Sequence, residues 1–217
     1  MYTPKHFEVT DWKTITDFVA HVGSVDLVTV GKDGQPVSTL LPVIWDTSNV
    51  TETEFGTLIM HMAIQNDQWK SISDETLALA IAHGPQAYIS PTNYENKLTD
   101  HRVVPTWNYQ AVHLSGTLSV SHDVEELRQI VSDLTDFHEH DRAKPWSAIE
   151  SDPKYFEGQL KAIVAIRMKV TKVEAKAKLS QNRSENDQQA IVKELGQSRA
   201  LPARDLAQAM QKNLDKN

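Results

Sequence analysis

Val25-Asp26-Leu27-Val28-Thr29-Val30, then Gly31-Lys32-Asp33-Gly34, then Pro36-Val37-Ser38-Thr39-Leu40-Leu41-Pro42-Val43-Ile44-Trp45 is the stretch whose reading sets the architecture. The first run is apolar and β-branched, and the second is extended in character. Between them Asp33-Gly34 supplies the positive φ angles of a tight turn, so the pattern predicts an antiparallel hairpin over 25–45. Just upstream, Trp12, Ile15, Phe18, Val19 and Val22 recur at helical spacing. Thr10 or Asp11 can cap the start and Gly23 the end, which predicts one amphipathic helix over 10–23.

Downstream, strands keep arriving at short intervals. Residues 57–62 read as a strand, Asn66 caps a short helix through Ile72, and 77–82 and 86–90 read as two extended runs broken by His83-Gly84-Pro85. The longest strand reading is 107–120, with Gly116 as a bulge or a point of close approach. Such spacing favours an antiparallel barrel over a parallel sheet with alternating helices. Helical periodicity returns over 124–137 and 153–160. Val164, Ile166, Met168 and Val170 then alternate with polar residues, as do Val173, Ala175, Ala177 and Leu179. The apolar parity flips near Thr171, so a bulge or bend is expected there. Two more helices are expected over 186–195 and 202–213. The fold class is mainly β with flanking helices.

The chain has 217 residues, no cysteine, 40% hydrophobic residues and a formal net charge of −7. Without cysteine there are no disulfides, thiolate nucleophiles or cysteine-held metals. No stretch approaches the roughly 18 apolar residues of a membrane span, so a soluble, cytoplasmic protein with no membrane partner is expected. An acidic chain is a poor general binder of nucleic acid. Basic residues do gather late, at Lys161, Arg167, Lys169, Lys172, Lys176, Lys178 and Arg183, against Glu174 alone. His138 and His140 are two apart and cannot share a helix face, so no metal ligand is nominated. No Rossmann, P-loop or nucleophile-elbow motif is present, and no catalytic residue is nominated. The six-residue connection between the last two helices exceeds that of a helix-turn-helix, which favours a packed hairpin and leaves DNA contact a lesser reading.

What remains is a set of polar and aromatic segments. They are His61-Met62-Ala63 with Asn66 and Gln68-Trp69-Lys70, Ala87-Tyr88-Ile89-Ser90-Pro91, Val104-Pro105-Thr106-Trp107-Asn108-Tyr109 with Val112-His113, and Lys178-Leu179-Ser180-Gln181-Asn182-Arg183-Ser184. With Met1-Tyr2, Pro4 and His6-Phe7 at the start, they resemble the PaiB family of FMN-binding negative transcriptional regulators over nearly the whole chain. The resemblance implies an antiparallel, Greek-key-like split β-barrel, similar to pyridoxamine-phosphate oxidases, that forms homodimers with FMN where the subunits meet. It implies a barrel domain over 1–184 and a C-terminal helical extension over 185–217. By family position, cofactor contacts would come from Ser38, Thr39, His61, Met62, Ala63, Asn66 and Trp69, with Thr106, Trp107 and Asn108 from the partner side and Gln181 and Arg183 closing the pocket. A helix start at Asn66 would suit the phosphate. Where relatives place an arginine after His-x-Ala, this chain has Ile64 and Gln65, a departure that removes one expected cation. The function so implied is an FMN-binding transcriptional regulator. The alternative is a flavin-dependent oxidoreductase of the pyridoxamine-phosphate-oxidase-like superfamily. Some relatives handle haem, for which no histidine here stands out.

Overall fold

The computed structural model describes residues 1–94 and 103–215. In chain order the main elements are α1 (Trp12–Val22), β1 (Ser24–Val30), β2 (Pro36–Pro42), β3 (Ile44–Asp46), β4 (Thr57–Ala63), β5 (Leu77–Ile89) and β6 (Thr106–Ser121). They continue with α2 (Val124–Glu139), α3 (Pro153–Leu160), β7 (Ile163–Lys178), α4 (Glu185–Gly196) and α5 (Leu201–Leu214). The strands form one seven-stranded sheet in the order β2-β1-β5-β6-β7-β4-β3. β1 pairs antiparallel with β2 and β5, and β4 pairs antiparallel with β3 and β7. The expected class, mainly antiparallel β with flanking helices, is what forms.

Five details differ from or sharpen the sequence reading. The second arm of the hairpin, expected to run unbroken over 36–45, splits at Val43: β2 zips to β1 from Ser24↔Pro42 to Val30↔Pro36, whereas β3 pairs with β4 at the other edge. Pro42 has no N–H to continue a ladder, and the Val43 N–H donates instead to the Gly23 carbonyl at 3.0 Å. The two runs at 77–82 and 86–90 are a single strand, β5. Its buried positions pass from Ala78, Ala80 and Ala82 to Ala87 and Ile89, so Gly84-Pro85 is absorbed as a change of parity and not as a break. β7 likewise runs through Thr171, its buried set shifting from Val164, Ile166, Met168 and Val170 to Ala175 and Ala177. Gly116 is a close approach: a Cβ there would collide with the Lys169 carbonyl oxygen. The last connection is four residues, 197–200, and not six, because Pro202 lies inside the first turn of α5.

The chain divides into two compact units. One comprises Met1–Ile15, His83–Val112 and Glu174–Asn217, of which the last two residues lie outside the described set. Its core gathers Ile89, Tyr94, Leu179, Ile191, Leu206 and Met210, with α4 and α5 laying their apolar faces on it. The other comprises Thr16–Ala82 and His113–Val173. Here Leu127, Ile130 and Leu134 of α2 pack with Leu160 of α3 and Ala165 of β7. The Asp123 carboxylate caps α2 by accepting from Glu126 N at 2.8 Å. Among the described residues no helix is long and apolar enough to cross a membrane.

Candidate functional site

In the unit built on β1–β4, a polar network begins where β4 ends. Asn66 caps the 3-10 turn Asp67–Ser71, its side-chain oxygen accepting from Gln68 N at 3.0 Å. Its amide donates to Thr39 Oγ1 at 2.9 Å, and that hydroxyl donates to Gln68 Oε1 at 2.5 Å. Gln68, only 4% exposed, turns its own amide to Leu27 O (2.9 Å), Thr29 Oγ1 (3.0 Å) and Val37 O (3.3 Å). The turn is thereby bolted to the inner face of β1 and β2. Trp69 Nε1 donates to Ile64 O at 2.9 Å and the ring meets His122 edge-on at 5.2 Å.

Neighbouring residues expected to share a ligand part company here. Successive strand side chains point to opposite faces, so Thr39 enters the network while Ser38 lies opposite Val28 on the outer face. Met62 is buried at 1% exposure and Ala63 is exposed. His61 is half-buried and burial holds its pKa below the ordinary histidine value. Its Nδ1 is enclosed without a hydrogen-bond partner, an unsatisfied polar atom that a ligand group can complete.

The outer face of β1, β2 and β5 is apolar in an unusual way. β5 turns Ala78, Ala80 and Ala82 inward and its larger Leu77, Leu79 and Ile81 outward. Register places Leu79 beside Val28 and Leu40 beside Asp26 on that same face. Leu77, Leu40 and Val30 are 75%, 66% and 59% exposed.

In the other unit, Asn108 is fully buried; its amide donates to Ser180 Oγ at 2.8 Å and contacts Met210 Sδ at 3.7 Å, while its Oδ1 has no partner. Ser180 holds a left-handed backbone, φ 65°. Gln181 stabilises that turn by accepting from Leu179 N at 2.7 Å and donating to Ala177 O at 2.6 Å. The Arg183 guanidinium lies 4.6 Å over the Tyr94 ring. Trp107 donates to Gln86 Oε1 at 3.0 Å and leaves its ring half exposed beside Tyr88. Thr106 accepts from Lys178 Nζ.

The structure thus joins Thr39 with Asn66, and Asn108 with the Ser180–Gln181 turn. Sequence reasoning missed Gln68, the hub of the first network; its place two residues after a capping Asn was the available signal. It also passed over Lys178. The late basic run is not uniform: Arg167 pairs with Glu126 at 2.5 Å and Lys169 with Glu54 at 2.6 Å, at the rim of a cleft of about 320 Å³. Lys176 and Lys178 have no such partners among the described residues. In the unit that carries Lys176 and Lys178, cations without carboxylate partners among the described residues and open aromatic rings are groups a phosphorylated flat heterocycle can use, so the residues present fit FMN.

Residues 1–172 match the family model described as "Putative FMN-binding domain". Over 216 residues, 100% of this chain and 99% of the relative, the sequence is 33% identical to "Protease synthase and sporulation protein PAI 2" of Bacillus subtilis (strain 168). The fold is similar to that of the FAD and haem binding protein from Mycobacterium smegmatis, with a TM-score of 0.57 and 15% identity over 84% of this chain and 78% of that one. It is also similar to the flavocytochrome Anf3 from Azotobacter vinelandii, at 0.56 and 12% over 86% and 77%. The fold is therefore the split β-barrel of such flavoproteins. By the extent of both sequence matches, the chain belongs to the "Putative FMN-binding domain" family as a PaiB-like protein, with FMN as its cofactor.

Proposed function

We propose that the protein is a cytoplasmic, homodimeric FMN-binding regulator of transcription that works without a DNA-reading element of its own. The observation that carries the dimer is the inverted strand β5, alanines inward and Leu77, Leu79 and Ile81 outward, continued by Val28, Val30 and Leu40. A face of that composition is stable in water when a second copy covers it. The regulatory part is supported by the name of the Bacillus subtilis relative, which refers to protease synthesis and sporulation. The exposed face of α5 mixes Gln208, Gln211 and Lys212 with Asp205 and Asp215, too balanced a charge to grip a phosphate backbone.

In this reading residues 1–184 hold the cofactor and 185–217 form an extension. Ser38, His61, Ala63 and Trp69 face the flavin from one protomer and Thr106 and Trp107 from its partner, with Arg183 closing the pocket. Thr39, Met62, Asn66, Asn108 and Gln181 position them, since their own polar groups are engaged or their side chains are buried. Bound FMN supplies redox chemistry, and the chain supplies binding, orientation and exclusion of water. The test pairs FMN titration with promoter DNA titration across salt. The expected result is saturable flavin binding together with weak DNA binding that shows no sequence preference. Tight sequence-selective binding contradicts indirect action, and catalytic flavin turnover with NAD(P)H points instead to the oxidoreductase.

A further inference from the structure

Two lysines on β7 stand apart from Arg167 and Lys169 of that strand. Arg167 and Lys169 each hold a carboxylate, whereas Lys176 and Lys178 hold only carbonyl, hydroxyl and ring partners among the described residues. Lys176, 8% exposed, donates to Tyr2 O at 2.9 Å and lies over the Tyr2 and Tyr109 rings at 5.6 and 5.1 Å. Lys178 donates to Thr106 Oγ1 and, at 2.9 Å, to Trp107 O. An ammonium has three donors, so Lys178 keeps one more to offer. The two side chains stand two residues apart on the same face of one strand. Burial, and then the charge of Lys176, push the Lys178 pKa below the ordinary lysine value, with Tyr109 opposing. Two like charges drawn partly out of water, with no carboxylate partner among the described residues, are costly to keep. Open rings adjoin them: Trp107 and Tyr88 are 48% and 53% exposed.

We infer that Lys178, backed by Lys176 and set by Thr106, is the seat of a phosphate monoester, the 5′-phosphate of FMN, whose flat ring system has the Trp107 and Tyr88 faces beside it. The inference rests on the FMN reading and deepens it. It relieves the Asn66 turn of holding the phosphate, since the turn spans five residues and its cap is already engaged with Gln68 N.

Calorimetry in phosphate-free buffer tests this with FMN, riboflavin and inorganic phosphate on the full chain. The wild type is expected to bind FMN about 10- to 100-fold more tightly than riboflavin, the range a charge-assisted contact gives. Lys178→Gln, which keeps donors for Thr106 and Trp107 O, should bring FMN down to the riboflavin level and leave riboflavin unchanged. Lys178→Arg should restore part of the preference, and inorganic phosphate should compete with FMN only where the cation is present. An unchanged FMN-to-riboflavin ratio in folded Lys178→Gln overturns the inference while the cofactor reading stands. Should that variant fail to fold, Lys176→Gln asks the same question through the field it exerts, and an unchanged ratio again overturns it. Phosphate binding that depends on Lys178, in a protein that takes no flavin, upholds the phosphate seat and removes the cofactor reading. Binding of neither ligand removes both.

Discussion

The Gln68 network and the Lys176–Lys178 corner are both polar and both drawn out of water, yet they are built on opposite plans. In the first, Thr39, Asn66 and Gln68 use their donors and acceptors on one another and on β1 and β2. In the second, two ammonium groups share hydroxyl, carbonyl and ring partners and meet no carboxylate among the described residues. A closed network rigidifies a scaffold, whereas spare donors and uncompensated charge mark a place for something else to bind. The contrast divides residues that sequence reasoning placed in a single site, with Thr39 and Asn66 in the first and Thr106 and Trp107 beside the second.

Substitutions can break this contrast. Gln68→Leu takes the acceptor from the Thr39 hydroxyl and the donor from Leu27 O, Thr29 Oγ1 and Val37 O, and should lower unfolding free energy by about 2 to 4 kcal/mol in urea denaturation. A loss within a few tenths would show that the network is not scaffold. Leu40→Arg, at a position 66% exposed, should leave each chain's stability within about 0.5 kcal/mol. Because a two-fold interface meets the change twice, it should weaken self-association by about 2 kcal/mol or more, read as a drop in solution mass on dilution.

Acid should act through His61. Its folded pKa lies below the unfolded value because burial disfavours the imidazolium, so the unfolded chain binds the proton first. The contribution is fully present above the unfolded pKa near 6.5 and is lost as the pH falls toward the folded pKa. His61→Phe should flatten that part of the profile, a difference of at most about 1.4 kcal/mol per pH unit. Arg183→Ala removes a guanidinium from the Tyr94 face and should cost only about 0.5 to 1 kcal/mol of stability. A weakened FMN dissociation constant in that variant assigns Arg183 to the pocket, and an unchanged one leaves it a clasp on Tyr94.

Most of the fold was legible because its signals are local. The 25–45 turn chemistry, the Asn66 cap and the parity flip at Thr171 each depend on a few adjacent residues. Errors arose where distant partners decide. Gly84-Pro85 reads as a terminator, but neighbouring strands carry β5 through it. Pro42 within an apolar run gave no hint that its two sides serve opposite edges of the sheet. The candidate site was legible as composition and hardly at all as geometry. Ser38 and Thr39 look like one hydroxyl pair until strand alternation divides them, and Gln68 shows its weight only through contacts 29 to 41 residues away in sequence. Lys178 stood in a motif that carries the family resemblance, yet that no carboxylate meets it among the described residues is a fact of three dimensions.

Sedimentation velocity followed both in the protein band and in the flavin absorption band, on protein supplied with FMN, asks the main question most directly. The account predicts that flavin travels with a species of twice the chain mass, and that Leu40→Arg returns the protein to single-chain mass. Free flavin left at the meniscus above a single-chain boundary in the wild type would contradict it.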